Sequence, residues 1–270
     1  MIDLPPAADP HAIAPGVHPP RKEAAPPVPE TFFARVLAVL LTPFQAFRVH
    51  DASWGWWQAW MLVAAAGVLT GAISLWRVDH EAWQHAQWER VLEQMPAAKR
   101  KQIEKPEVAE QMEKFRRFQA FLSKVGRVAF PPLGGLFGVL FAGALIFVAG
   151  RALAPEPPDL PRCLSVAAFA SLANLIAWAG EGWGALLGNP QPTTSLAALT
   201  DPLGQPVLAA ALSRVDPALF AYYLLLAAGL AGSARLRTSV ACALSGGLYV
   251  LASLALVGMS AASKAMSGMG

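Results

Sequence analysis

Charge is scarce in this 270-residue chain: Asp, Glu, Lys and Arg make up only 14% of it, against about 25% in ordinary soluble domains. Cysteine is nearly absent, with Cys163 and Cys242 alone, which excludes a disulfide framework and CxxC redox chemistry. Net charge is +3, and the basic residues sit beside apolar runs without forming a basic face, so nucleic acid is not an expected partner. Residues 1–30 hold no basic region followed by an apolar run, so the first long apolar segment is expected to serve as an uncleaved anchor. GxSxG, Walker-type and GxGxxG sequences are missing too, and with them the usual marks of acyl transfer, nucleotide binding and dinucleotide binding.

What the chain has instead is length without polarity. Hydrophobic residues make up 55% of it and mean hydropathy is +0.41. Five runs, Trp56 to Trp76, Leu133 to Leu153, Cys163 to Leu187, Pro217 to Ala234 and Thr238 to Ser260, are long enough to cross about 30 Å of hydrocarbon as helices. Between Leu136 and Ala149 no turn carries a polar residue, so that segment has no face to offer water. The expectation is an all-α polytopic membrane protein with five transmembrane helices, an N-terminal interfacial helix and an extramembrane helical hairpin between spans 1 and 2.

The segments divide accordingly. Residues 1–30 form a Pro-rich tail, with nine prolines between Leu4 and Pro29 that argue for a disordered, polyproline-like chain. Residues 31–53 form an interfacial amphipathic segment, because the run from Thr31 to Leu41 is too short to span. There Phe32, Phe33, Leu37, Leu40 and Leu41 are expected in lipid and Arg35 at the headgroups. Trp56, Trp57 and Trp60 supply aromatic anchors where the chain enters the bilayer, and Trp76 marks the exit. Residues 54–262 make the membrane domain, including the hairpin at 77–132, and 263–270 form a C-terminal tail.

In the hairpin, Val108, Met112, Phe115, Phe118, Leu122 and Val125 recur at three- and four-residue spacing among charged residues, while Pro96 and Pro106 bound a break. Its two helices either cover each other's apolar stripes or present an arm to a partner. Arginine and lysine near the short loops place the N-terminus in the cytoplasm, in a cell membrane, the inner one if the cell is Gram-negative. The hairpin opposes that assignment with eleven basic residues, accompanied by eight acidic ones.

Few groups could carry chemistry. His80 and His85 suggest a zinc-protease helix, but they are five residues apart and point about 140° away from one another on a helix, so no metal is expected. Asn174 and Glu181 lie seven apart on one helical face inside the third span. A carboxylate in hydrocarbon must face protein or a watery cavity. Either Glu181 reaches interfacial water while Asn174 bonds a neighbouring helix, or both line the polar path of a transporter or channel component. Gly180, Gly184 and Gly188, like Gly134 and Gly138 and like Gly67 and Gly71, recur every four residues and make grooves for helix packing within the chain or for a homodimer.

FFARVLAVLLTPFQAF at Phe32 to Phe47 resembles the short apolar helix and proline that precede the first span of Yip-domain membrane proteins. RCLSVAAFASLANLI at Arg162 to Ile176, TTSLAAL at Thr193 to Leu199 and the stretch from Leu212 to Leu244 are similar to that family's later spans and loop. The hairpin insertion resembles its bacterial branch. The resemblance implies a five-span fold with a cytoplasmic N-terminus and a role in membrane trafficking or organisation, in a family named for proteins that bind Rab-type GTPases. The combined expectation is a non-enzymatic adaptor or organiser without a cofactor, whose partners are the lipid bilayer and either another membrane protein or a second copy of itself.

Overall fold

The computed structural model describes residues 29–49, 54–94, 106–154, 157–190, 192–200, 205–233 and 235–268. Nearly all of the Pro-rich tail and the Pro96 break lie outside these residues. Among those described, helix is the regular structure and no strand occurs.

The chain opens with α1 (Phe32–Leu41), whose first turn is closed by Thr31: its hydroxyl oxygen accepts from the Ala34 N–H at 3.2 Å. The helix stops at Thr42 because Pro43 has no N–H to continue the ladder, and Pro43 instead starts α2 (Pro43–Arg48). Val36 and Val39 turn inward, while Phe33, Leu37, Leu40 and Leu41 form the outer face. The short helix thus offers one face to protein and the other to its surroundings.

Span 1 is α3 (Trp56–Arg77). Next comes α4 (His80–Gln94), capped by Asp79, whose Oδ1 accepts from the Glu81 and Ala82 N–H groups at 3.1 and 2.9 Å. The second half of the hairpin and span 2 prove to be one continuous helix of 48 residues, α5 (Pro106–Leu153), running through Pro131 and Pro132. Two prolines remove only the bonds to the carbonyls four residues back, those of Arg127 and Val128. The helix continues through them, and α3 closes over that point: the Trp60 indole N–H donates to the Pro132 carbonyl at 3.1 Å.

Span 3 consists of α6 (Leu160–Ala170), a 3-10 turn at Ser171–Ala173 and α7 (Asn174–Leu186). No proline causes the break. The Ser171 hydroxyl donates to the Ala168 carbonyl at 2.6 Å, drawing an acceptor away from the ladder. This span is the centre of the bundle, with every residue from Ser165 to Ala173 buried. Phe169 packs against Trp54 and Phe32 at ring distances of 5.2 and 6.4 Å, which seats α1 on the core.

The last elements are α8 (Pro206–Leu212), α9 (Pro217–Ser233) and α10 (Thr238–Gly268). Among the described residues four helices are long and apolar enough to cross a membrane, and counting the α8–α9 pair, bent by 47°, as one span gives five. α9 alone has 17 residues, the lower limit for a crossing. α10 packs on α8 and α9 at the rim of the bundle, and it continues through residues 263–268 of the expected C-terminal tail, since Ala261 to Gly268 contain no proline to stop it.

Candidate functional site

On the side of the bundle where α3 ends and α7 ends, the sequence Gly67-x-x-Thr70-Gly71-x-x-Ser74 lays a stripe of small residues along α3. The spacing puts all four on one face. That face receives α5 at its prolines: a Cβ at Gly67 would come within 2.5 Å of the Pro131 Cβ, and one at Gly71 would overlap the Arg127 carbonyl. Thr70 joins α3 to α7 by donating to the Trp178 carbonyl at 3.0 Å.

Between these three helices lies a cavity of about 370 Å³, whose polar lining includes Thr70, Ser74, Ser123, Arg127, Trp178 and Glu181. Arg127 Nη1 donates to the Ser74 hydroxyl at 3.1 Å, which itself meets His80 Nε2 at 3.1 Å. Arg127 Nε and the Trp178 indole nitrogen are buried and have no partner among the described residues. Glu181, half-buried, feels the charges of Arg127 and Asp216 but makes no ion pair or hydrogen bond among the described residues. The cavity therefore holds one guanidinium and one carboxyl group that face a shared space with no ion pair between them among the described residues.

Beyond the membrane domain, Ser74 Oγ and O hold the buried His80. A carbonyl oxygen only accepts, so Nε2 carries the proton, and Nδ1 is left buried with no partner among the described residues. Burial, and then the nearby Arg127, hold the His80 pKa below its ordinary value. His85 is elsewhere, 3.2 Å from Glu89 on the exposed face of α4. The two histidines do not converge.

The sequence-derived candidates fall in different places. Glu181 lines the cavity and Asn174 does not, so the two do not share one polar lining. Gly180 and Gly184 abut Thr194 and Pro192 of the loop that covers α7, not another helix. Gly188 ends α7: it has φ +82°, with its N–H on the Ala185 carbonyl at 2.9 Å and that of Asn189 on Gly184 at 3.0 Å, the left-handed closure that favours glycine. A Cβ at Gly134 would meet first the Phe130 ring of its own helix, and one at Gly138 would have open space around it among the described residues. Close helix approaches are made at Gly67 and Gly71, the pair whose spacing marks a groove, and also at Gly143, Gly229 and Gly232.

Of the aromatic and basic anchors, Phe33, Trp57 and Trp76 lie exposed, whereas Phe32 and Trp56 pack on the core, Trp60 is tied to Pro132, and Arg35 stacks 5.4 Å over the Trp54 ring. Arg127 could not be picked out from spacing, because it belongs by sequence to the charged hairpin. Its one signal is that it stands four residues before Pro131.

A family model described as the Yip1 domain matches residues 37–259, from within α1 to within α10. The chain belongs to the Yip1-domain family. Cavity and arm both lie inside the matched Yip1 region, so neither is an appendage to it. Among curated proteins, and among solved structures, nothing matches the chain.

Proposed function

We propose that this Yip1-domain protein is a non-enzymatic adaptor or organiser embedded in the cell membrane, with a cytoplasmic N-terminus and with α4 and the first half of α5 as an arm on the other side. What supports this reading is the arm itself. α4 leaves the apolar stripe of α5 uncovered: Phe115, Phe118, Phe121 and Leu122 are half exposed or more. A cleft of about 390 Å³ stays open between the two helices, lined by Trp83, Trp88, Val91, Met112 and Phe115. Exposed aromatics in this number mark a surface that is covered in use.

The occupant is another membrane protein. The stripe is continuous with Phe130 and Phe137, exposed where α5 enters the apolar span, so a partner that covers it follows α5 from the bilayer upward. Salt bridges such as Arg116–Glu113 at 2.7 Å and Lys114–Glu110 at 2.8 Å flank it with charge of both signs, a polar rim around an apolar centre. Traffic or organisation of membrane proteins follows from holding one such partner beside the bundle. Photocross-linkers at Phe115 and Phe118 of the full chain in its own membrane are expected to capture one discrete membrane protein. Adducts with lipid alone, or with its own chain alone, would overturn the reading.

A further inference from the structure

The cavity between α3, α5 and α7 has a charge arrangement that adaptor function does not use. Arg127 and Glu181 face one space with no ion pair between them. A guanidinium N–H and an indole N–H are buried there without acceptors among the described residues, and each such orphan is destabilising unless a ligand or water satisfies it. A lining with a guanidinium and a carboxyl group across one space, together with spare donors, is complementary to a zwitterion.

Depth narrows the chemistry further. The cavity runs along α3 from Gly67 to Ser74, which stands two residues before Trp76 and three before Arg77 at the end of that helix. Trp76 is exposed there with the Arg77 guanidinium 5.4 Å from its ring, and the Arg77 Nη2 donates to the Leu186 carbonyl at 3.3 Å at the end of α7. Tryptophan and arginine at span ends belong to the headgroup layer. Phe130 and Pro131 supply the apolar wall toward the span, and the wall at Gly67 and Gly71 is backbone.

We propose that this cavity binds a phosphate diester bearing a primary ammonium, the headgroup of an aminophospholipid, with its phosphate on Arg127 and Trp178 and its ammonium on Glu181. The phosphate accepts from Arg127 Nε and the indole N–H, a charge-assisted contact. The ammonium donates to the Glu181 carboxylate, and acyl chains leave past Phe130 into lipid. A choline headgroup carries the same charges but no N–H to donate, and a glycerol headgroup carries no cation.

The test is native mass spectrometry of the full chain released from nanodiscs of phosphatidylethanolamine, phosphatidylcholine or phosphatidylglycerol, with glycerophosphoethanolamine added in a separate arm. Phosphatidylethanolamine is expected to be retained about tenfold over either other lipid, since 1.4 kcal/mol is tenfold and one charge-assisted contact is worth about that much. Glu181→Gln should abolish the preference while the protein remains folded by circular dichroism. Trp178→Phe, which keeps an aromatic ring, should weaken retention of all phosphates. Displacement of the lipid by glycerophosphoethanolamine would support the same chemistry and assign it to a free compound. Equal retention of the three lipids by the wild type, or an unchanged preference in Glu181→Gln, would overturn the proposal.

Discussion

Gly71 of α3 lies so close to the carbonyl oxygen of Arg127 in α5 that a methyl group there would overlap it. The contact has a cause in the sequence. Pro131 lacks the N–H that would ordinarily bond this carbonyl, so the oxygen is left over. A glycine opposite lets the α3 backbone come near enough for a Cα–H contact to take up part of the loss. The same oxygen belongs to the residue whose side chain lines the cavity, so span packing and cavity position are set by one pair of residues.

Gly71→Ala should therefore destabilise the bundle by about 1–3 kcal/mol, the usual cost of forcing a group into a packed site. Gly138→Ala, with open space at its Cβ, should leave stability unchanged or raise it by up to about 1 kcal/mol through helix propensity. Thermal unfolding of both variants in one detergent measures the contrast, and equal midpoints would refute the packing assignment.

Trp60→Phe removes the indole N–H that serves the Pro132 carbonyl. The expected loss is about 1 kcal/mol for the hydrogen bond, with some added for lost ring volume. Hydrogen exchange should report it locally, as faster exchange of the α5 amides just after the prolines.

Acid should loosen the junction of α3 and α4. The folded pKa of His80 is below its ordinary 6.5, through burial and then Arg127, with Lys124 in the same sense and Asp79 opposing. The unfolded chain thus binds a proton more readily than the folded one, so the contribution is complete above pH 6.5 and declines as pH falls below it. The unfolding midpoint should drop as pH falls below 6.5, and His80→Gln should flatten that part of the profile.

Orientation is open to direct labelling. In a background with Cys163→Ala and Cys242→Ala, a cysteine in place of Glu89 on the arm should react with an impermeant thiol reagent added outside intact cells. One in place of Arg48, the last residue of α2, should react only after permeabilisation. The reverse pattern would invert the membrane assignment.

Much of the fold is legible in the sequence because lipid demands it: a run such as Leu136 to Ala149 without a polar turn has few homes other than a membrane helix. Less legible is whatever depends on two distant segments meeting. Proline at 131 and 132 reads as a boundary between hairpin and span, yet the helix continues through them, with Gly67 and Trp60 of α3 opposite. Glu181 stands out as an acid among apolar residues, but its counterpart Arg127 lies among eleven basic residues of the hairpin. The glycine ladders mislead for a related reason. Spacing marks a smooth helix face, and only the neighbour tells whether that face is a packing groove, as at Gly67, or the end of a helix, as at Gly188.

The unbroken α5 has a mechanical consequence. Its 27 residues from Pro106 to Pro132 make a stiff rod of roughly 40 Å, fulcrumed where Gly67 and Trp60 meet the two prolines. A tilt of about 5° there swings the far tip by about 3 Å. Force applied at the tip is delivered in turn to Arg127 and Phe130, so whatever pulls on the arm also squeezes or opens the space beside Glu181.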